Sequence, residues 1–75
     1  MDLRQLAAVV AVVDHGGFTR AAEMIPISQP ALSQGIRSLE RELGTPLFHR
    51  HGRDITLTSA GEAFLGPARQ LVLDA

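Results

Sequence analysis

The stretch Ser28-Gln29-Pro30-Ala31-Leu32-Ser33-Gln34-Gly35-Ile36-Arg37-Ser38-Leu39-Glu40-Arg41-Glu42-Leu43-Gly44 decides the fold. It reads as a helix with both ends marked. Ser28 suits the N-cap, where its hydroxyl accepts from a first-turn N–H. Pro30 is tolerated in the first turn, because those N–H groups have no intrahelical partner. Gly44 suits the left-handed residue just past the end. Leu32, Ile36, Leu39 and Leu43 recur at helical spacing and form one apolar stripe. The opposite face carries Pro30, Gln34, Arg37, Ser38 and Arg41, with Gln29 and Ser33 at its edge. Glu40 and Glu42 fall on the flanks, so this polar face holds donors and no carboxylate. Taken alone, it reads equally well as the solvated side of an ordinary core helix.

The preceding residues narrow the choice. Leu3, Leu6, Val10 and Val13, widened by Ala7 and Val9, predict a first helix over 1–14. His15-Gly16-Gly17 ends it, with His15 placed to complement the helix dipole. Phe18 to Ile25 is a short second helix, capped by Gly17 or Thr19 and stopped by Pro26. Phe18, Ile25 and Ile27 are expected in the core, and Ala21 and Ala22 allow close helix approach. Two helices joined by so short a turn form a helix-turn-helix, which places its second helix in the DNA major groove.

Downstream the period changes. Leu47-Phe48, the polar run 49–54, and Ile55 and Leu57 alternating with Thr56 and Thr58 predict a β-hairpin over 47–57 with Gly52 in the loop. Its tip displays Arg50 and Arg53. A hairpin after a helix-turn-helix is a wing. Ser59 to Ala75 reads as a last helix, capped by Thr58 or Ser59, with Ser59-x-x-Glu62 fitting a capping box. Phe64, Leu65, Ala68, Leu71, Val72 and Ala75 give it a long apolar stripe. Little chain remains to cover that stripe, so Phe64, Leu65, Leu71 and Val72 are expected at a homodimer interface. The competing reading folds the stripe back on the first helix. Gly66-Pro67 is expected to interrupt and kink this helix.

The chain has 75 residues, no cysteine and a formal net charge of −1. One small domain is the expectation, with no disulfide framework and no thiolate metal site. No apolar run approaches the roughly 20 residues a bilayer span needs, and Leu6 to Val13 lacks the flanks of a signal peptide. A cytoplasmic protein with no membrane partner fits best. The net charge argues mildly against nucleic acid. Its distribution argues the other way: residues 28–53 carry +2, residues 1–27 carry −1 and residues 54–75 carry −2.

A resemblance now adds to this reading. Asp2-Leu3-Arg4-Gln5-Leu6, Phe18-Thr19-Arg20-Ala21-Ala22-Glu23, Ser28-Gln29-Pro30-Ala31-Leu32-Ser33, Ile36-Arg37-Ser38-Leu39-Glu40, Glu42-Leu43-Gly44, Pro46-Leu47-Phe48 and Leu57-Thr58-Ser59-Ala60-Gly61-Glu62 follow in order. They resemble the N-terminal DNA-binding domain of LysR-type bacterial transcriptional regulators over nearly the whole chain. The resemblance implies a mainly α fold: a winged helix-turn-helix over 1–58 and a linker helix for dimerisation over 59–75. It also implies a C-terminal effector-binding domain absent from this chain, which then reads as a fragment, and a small-molecule effector bound only there. It puts Gln29, Pro30, Ser33, Gln34 and Arg37 at the major groove, and Arg50 and Arg53 on the backbone or minor groove. The expected ligand is double-stranded operator DNA, bound by a homodimer on an interrupted inverted repeat. The chain departs from the family pattern at Val9, Met24, Pro26, Gly35 and Gly66-Pro67.

Two other classes were weighed. Catalysis finds no nucleophile–base pair and no Gly-rich phosphate loop. His49-x-His51 would share one face of a strand, but a metal site usually takes three or four ligands, so no cofactor is expected. A winged helix that binds protein instead of DNA accounts for the net charge, yet leaves the carboxylate-free face of Arg37 and Arg41 unexplained.

Overall fold

The computed structural model describes residues 1–52 and 54–75; the predicted wing residue Arg53 lies outside the described residues. The elements are α1 (Leu3–His15), α2 (Phe18–Met24), α3 (Gln29–Leu43), β1 (Phe48–His51), β2 (Asp54–Leu57) and α4 (Ser59–Asp74). This is a mainly helical winged helix-turn-helix.

The central helix has the caps its sequence demands. Ser28 Oγ accepts from Ala31 N at 3.2 Å, and Gly44 takes the left-handed conformation with φ 75°. Leu32, Ile36 and Leu39 are fully buried. They meet Val9 and Val12 of α1, Ala21 of α2, and Leu47 and Phe48 at the root of the wing. Leu43, expected in the stripe, is partly exposed at the end of the helix.

α1 departs from the expected stripe. Its buried residues are Leu6, Ala8, Val9 and Val12, while Leu3 is 46% exposed and Val10 is half-buried. The reason is that α1 packs against α2, α3 and α4 together. It needs apolar residues over a wide arc, so no narrow stripe sets its phase. Its start carries a reciprocal capping box: Asp2 Oδ1 accepts from Gln5 N and Gln5 Oε1 accepts from Asp2 N, both at 2.9 Å. In the helix-turn-helix turn, Ile25 is half-buried, but Ile27 and Met24 are 39% and 65% exposed. The expectation that Ile27 is buried therefore fails: the extended backbone at the cap residue Ile25 leads straight into Pro26, and both Pro26 and Ile27 lie on the surface.

The wing is a two-stranded antiparallel hairpin with Phe48 opposite Leu57, His49 opposite Thr56, Arg50 opposite Ile55 and His51 opposite Asp54. Opposed residues share a face. Phe48, Arg50, Ile55 and Leu57 therefore look toward the helices, and His49, His51, Asp54 and Thr56 look away. Arg50 sits within β1 rather than at the tip.

Thr58 joins wing to last helix. Its N–H donates to the Leu47 carbonyl at 3.0 Å, its hydroxyl donates to the Pro46 carbonyl at 2.7 Å, and Oγ1 accepts from Gly61 N at 2.9 Å. Thr58 is thus the N-cap of α4. Ser59 is the first helical residue, so the Ser59–Glu62 capping box does not form. Gly61 is buried where α4 crosses the wing root. A Cβ there would overlap the Leu47 carbonyl oxygen and approach Leu57 Cδ2 to 2.8 Å.

Gly66-Pro67, where a kink is expected, does not end the helix: α4 runs from Ser59 to Asp74 with Pro67 inside it. Gly66 has no Cβ to meet the proline ring, which removes part of the clash that normally stops a helix before proline. The carbonyl of Ala63, left without its Pro67 partner, belongs to an exposed residue that water reaches. α4 also folds back on α1. Ala68 is buried, Phe64 packs on the core, and Arg69 holds Asp14 with two 2.9 Å bonds. Phe64 is half-buried against this chain's own core. Leu65 and Val72 are half-buried, and Leu71 and Leu73 stand 54% and 72% exposed.

Candidate nucleic-acid interface

Successive residues turn by about 100° around a helix axis, so the polar side of α3 has a crest and two flanks. Pro30 and Arg37 lie on the crest, both exposed. On one flank, exposed Gln29 and half-buried Ser33 line a groove shared with Thr19 and Met24 of α2 and Arg50 of the wing. On the other, Gln34, Arg37 and Arg41 line a trough shared with Arg4 and Gln5 of α1. The expected base-reading residues therefore share one helix but face two depressions. Gln29 and Ser33 look toward the wing, and Gln34 looks toward the start of α1.

Glu40, placed on a flank by the helical wheel, organises the wing side. One carboxylate oxygen accepts from Leu47 N at 2.6 Å and Phe48 N at 3.4 Å, and the other accepts from Arg50 Nη2 at 3.3 Å. Its side chain is only 13% exposed. The sequence carried a signal for this: Glu40 follows Leu39 and stands four residues after Ile36, at the border of the buried stripe. A carboxylate there needs donors, and the first turn of the wing supplies them.

Arg50 is held, not displayed. Its guanidinium pairs with Glu40, and its Cζ lies 4.7 Å from the centroid of the Phe18 ring. Phe18 in turn meets Phe48 edge-on, with centroids 5.8 Å apart. The expectation of Arg50 at a free hairpin tip is corrected accordingly. It forms one wall of the groove that contains Gln29 and Ser33. The alternation along β1 explains the difference: Arg50 shares a face with Phe48, so its stem covers apolar surface while its head stays near the rim.

His49 and His51 share the outer face of β1, with rings 6.0 Å apart, and His51 Nε2 is 3.3 Å from Thr56 Oγ1. Among the described residues, no three His, Asp or Glu side chains converge as metal ligands. Asp14 lines the same groove as Gln29 and Ser33, and hydrogen bonding from Arg69 holds its carboxyl below its ordinary range. Among the described residues, no helix is long and apolar enough to cross a membrane.

Residues 3–62 match the family described as bacterial regulatory helix-turn-helix protein, lysR family. The chain belongs to the lysR family. Among its curated relatives, the HTH-type transcriptional regulator TfdT of Cupriavidus pinatubonensis is 50% identical over 72 residues, covering 96% of this chain and 32% of TfdT. The HTH-type transcriptional regulator BudR of Klebsiella aerogenes is 53% identical over 72 residues, covering 96% of this chain and 50% of BudR. The chain thus spans half or less of the length of these lysR-family relatives. Among solved structures, the BenM DBD/catB site 1 DNA complex superposes with a TM-score of 0.91 at 42% identity, covering 99% of this chain and 80% of that one. The CbnR DBD–DNA complex gives 0.91 at 40% identity, covering 96% and 83%.

Proposed function

We propose that this lysR-family domain binds operator DNA sequence-specifically, with α3 in the major groove and the wing against backbone or minor groove. The observation that carries this is the exposed side of α3. It presents Gln29, Pro30, Ser33, Gln34 and Arg37 with no carboxylate among them, between two depressions edged by arginine. The N-terminal half of such a helix reaches base edges. Gln29 and Gln34 are suited to adenine N6 and N7, Ser33 to several bases, and Arg37 to guanine O6 and N7 or a phosphate. Arg50 and Arg53 contact backbone or minor groove, with Arg50 aimed by Glu40 and Phe18. The likeness to two domains whose structures are DNA complexes supports the same reading.

In this reading the protein is a cytoplasmic transcription regulator and not an enzyme. Residues 1–58 bind DNA, and residues 59–75 form a linker helix through which two copies pair on an interrupted inverted repeat. The exposed Leu71, flanked by half-buried Leu65 and Val72, is the outward part of that interface, and Leu73 extends it. Any small-molecule effector is read outside these 75 residues. The test is binding-site selection from random duplexes. Gln29→Ala and Gln34→Ala should each relax preference at one or two positions per half-site. A bidentate pair contributes about 1–3 kcal/mol of discrimination. An unchanged consensus for both variants defeats the base-reading assignment, and absence of any gel shift with the unaltered chain defeats DNA binding itself.

A further inference from the structure

The structure sorts the arginines. Arg69 lies on Asp14 and Arg50 lies on Glu40. Among the described residues, Arg4, Arg20, Arg37 and Arg41 form no ion pair. Three of these four, Arg4, Arg37 and Arg41, line the single trough between the start of α1 and α3. We propose that this trough is a phosphodiester seat, with Arg4 as its outer anchor, and that it holds the DNA backbone on the side of the recognition helix opposite the wing. This rests on α3 being the DNA-contacting helix and adds a binding residue on α1.

The trough is built for an anion from two elements. Arg37 and Arg41 are four residues apart on α3, about 6 Å along its axis. Like charges at that spacing repel and weaken an isolated helix, so the pair is relieved when an anion lies alongside. Arg4 faces them from α1. Gln34 and Ser38 add neutral donors to the same trough. Its one acid, Asp2, is turned to the capping box, where Oδ1 accepts from Gln5 N at 2.9 Å.

Arg4 is also on a fixed mount. The capping box sets the first turn of α1, and Gln5 uses its remaining amide group to donate to the Gly35 carbonyl of α3 at 3.2 Å. The start of α1 is thereby tied to the middle of the recognition helix. When α3 enters a groove, Arg4 is carried to the groove's edge, where phosphates lie. Gly35 leaves the adjoining floor without a side chain.

The experiment measures binding of the full chain to two duplexes, one carrying the selected site and one of random sequence, by fluorescence anisotropy from about 50 to 200 mM salt. Arg4→Ala and Arg41→Ala should each weaken binding to both duplexes alike, roughly fivefold, and reduce the salt slope by about one. Arg4→Lys should retain the slope. Circular dichroism should show all three variants folded, since Arg4 and Arg41 are exposed. The seat is overturned if the unaltered chain binds DNA while Arg4→Ala matches it in affinity and slope. It is equally overturned if Arg4→Ala loses only the selected site, which would make Arg4 a base reader. If the unaltered chain binds neither duplex, the reading of α3 fails first and the seat with it.

Discussion

Gly61→Ala tests how the last helix is mounted on the wing. In an ordinary helix interior this change stabilises by about 0.5–1 kcal/mol, because alanine loses less chain entropy on folding. Here the added methyl would overlap the Leu47 carbonyl oxygen, lie 3.1 Å from the Leu47 carbonyl carbon and lie 2.8 Å from Leu57 Cδ2. The Leu57 side chain can turn aside. The Leu47 backbone cannot move freely, because its carbonyl accepts from Thr58 N at 3.0 Å and its N–H donates to Glu40 at 2.6 Å. Overpacking of this kind typically costs about 1–3 kcal/mol. Relief by shifting α4 outward would stretch the buried Gly61 N–Thr58 Oγ1 bond, and an unmet buried group costs about 1–3 kcal/mol. Set against the propensity gain, the net expectation is a loss of up to about 2.5 kcal/mol. For a domain of this size that lowers Tm by up to roughly 20 °C.

Gly35→Ala is the internal control. It too is a helical glycine, but a Cβ there meets nothing within 4 Å, so it should gain about 0.5–1 kcal/mol. Thermal and urea unfolding followed by circular dichroism, at one fixed protein concentration because dimerisation would shift Tm, measures both. A Gly61→Ala protein that melts at or above the unaltered chain refutes the reasoning. So does a Gly35→Ala protein destabilised as much as Gly61→Ala.

Glu40→Ala should destabilise by about 1–3 kcal/mol in urea unfolding, because Leu47 N and Arg50 lose a shared acceptor at the wing root; unchanged stability would show that Glu40 does not hold the wing. Leu71→Glu should abolish homodimers in sedimentation while leaving a folded monomer, and an unaltered chain already monomeric at high micromolar concentration would remove the interface from these residues. Asp14 has its pKa lowered by Arg69, so the unfolded state binds the proton more readily than the folded state. The contribution is complete above the ordinary carboxylate value of about 3.9 and disappears as pH falls through the lower folded-state value. Asp14→Asn should therefore flatten the acid limb of a stability–pH curve below about pH 4; an identical limb in both proteins would count against the Arg69 pair.

The recognition helix was legible because every signal agreed: a serine cap, a stripe of branched residues, a closing glycine and a polar side without acids. The wing's strands were legible from the change of period. What escaped depended on partners distant in sequence. Glu40 reads only as a flank residue because the backbone N–H groups it serves belong to Leu47 and Phe48. Arg50 reads as a tip residue because polar composition marks a turn without fixing its length. The strand runs on to His51, and that puts Arg50 over Phe18. The phase of α1 escaped because its middle is apolar all round, as its three neighbours require. A bare stripe does not reveal which of its edges the same chain covers, and here that edge includes Phe64. The Asp2-x-x-Gln5 capping box is written in the sequence beside the stronger apolar run.

The small negative charge of the chain counts less than its arrangement. Asp2 is engaged at a helix cap, Asp14 with Arg69, Glu40 with the wing root, Glu42 with the terminal ammonium at 2.6 Å, and Asp74 with Gln70. Each of these acids has an assigned partner, and Glu40 is largely shielded, while Asp14 and exposed Glu23 lie in the groove on the wing flank and not in the arginine trough. Arg4, Arg37 and Arg41 have no such partner among the described residues and edge one side of α3. At physiological salt an exposed charge is felt over about 8 Å, so an approaching phosphate responds to those three and not to the acids of α4. Net charge averages over the whole molecule what binding samples at one face, and here the two have opposite sign. A salt slope steeper than the net charge of the chain would suggest is the measurable consequence.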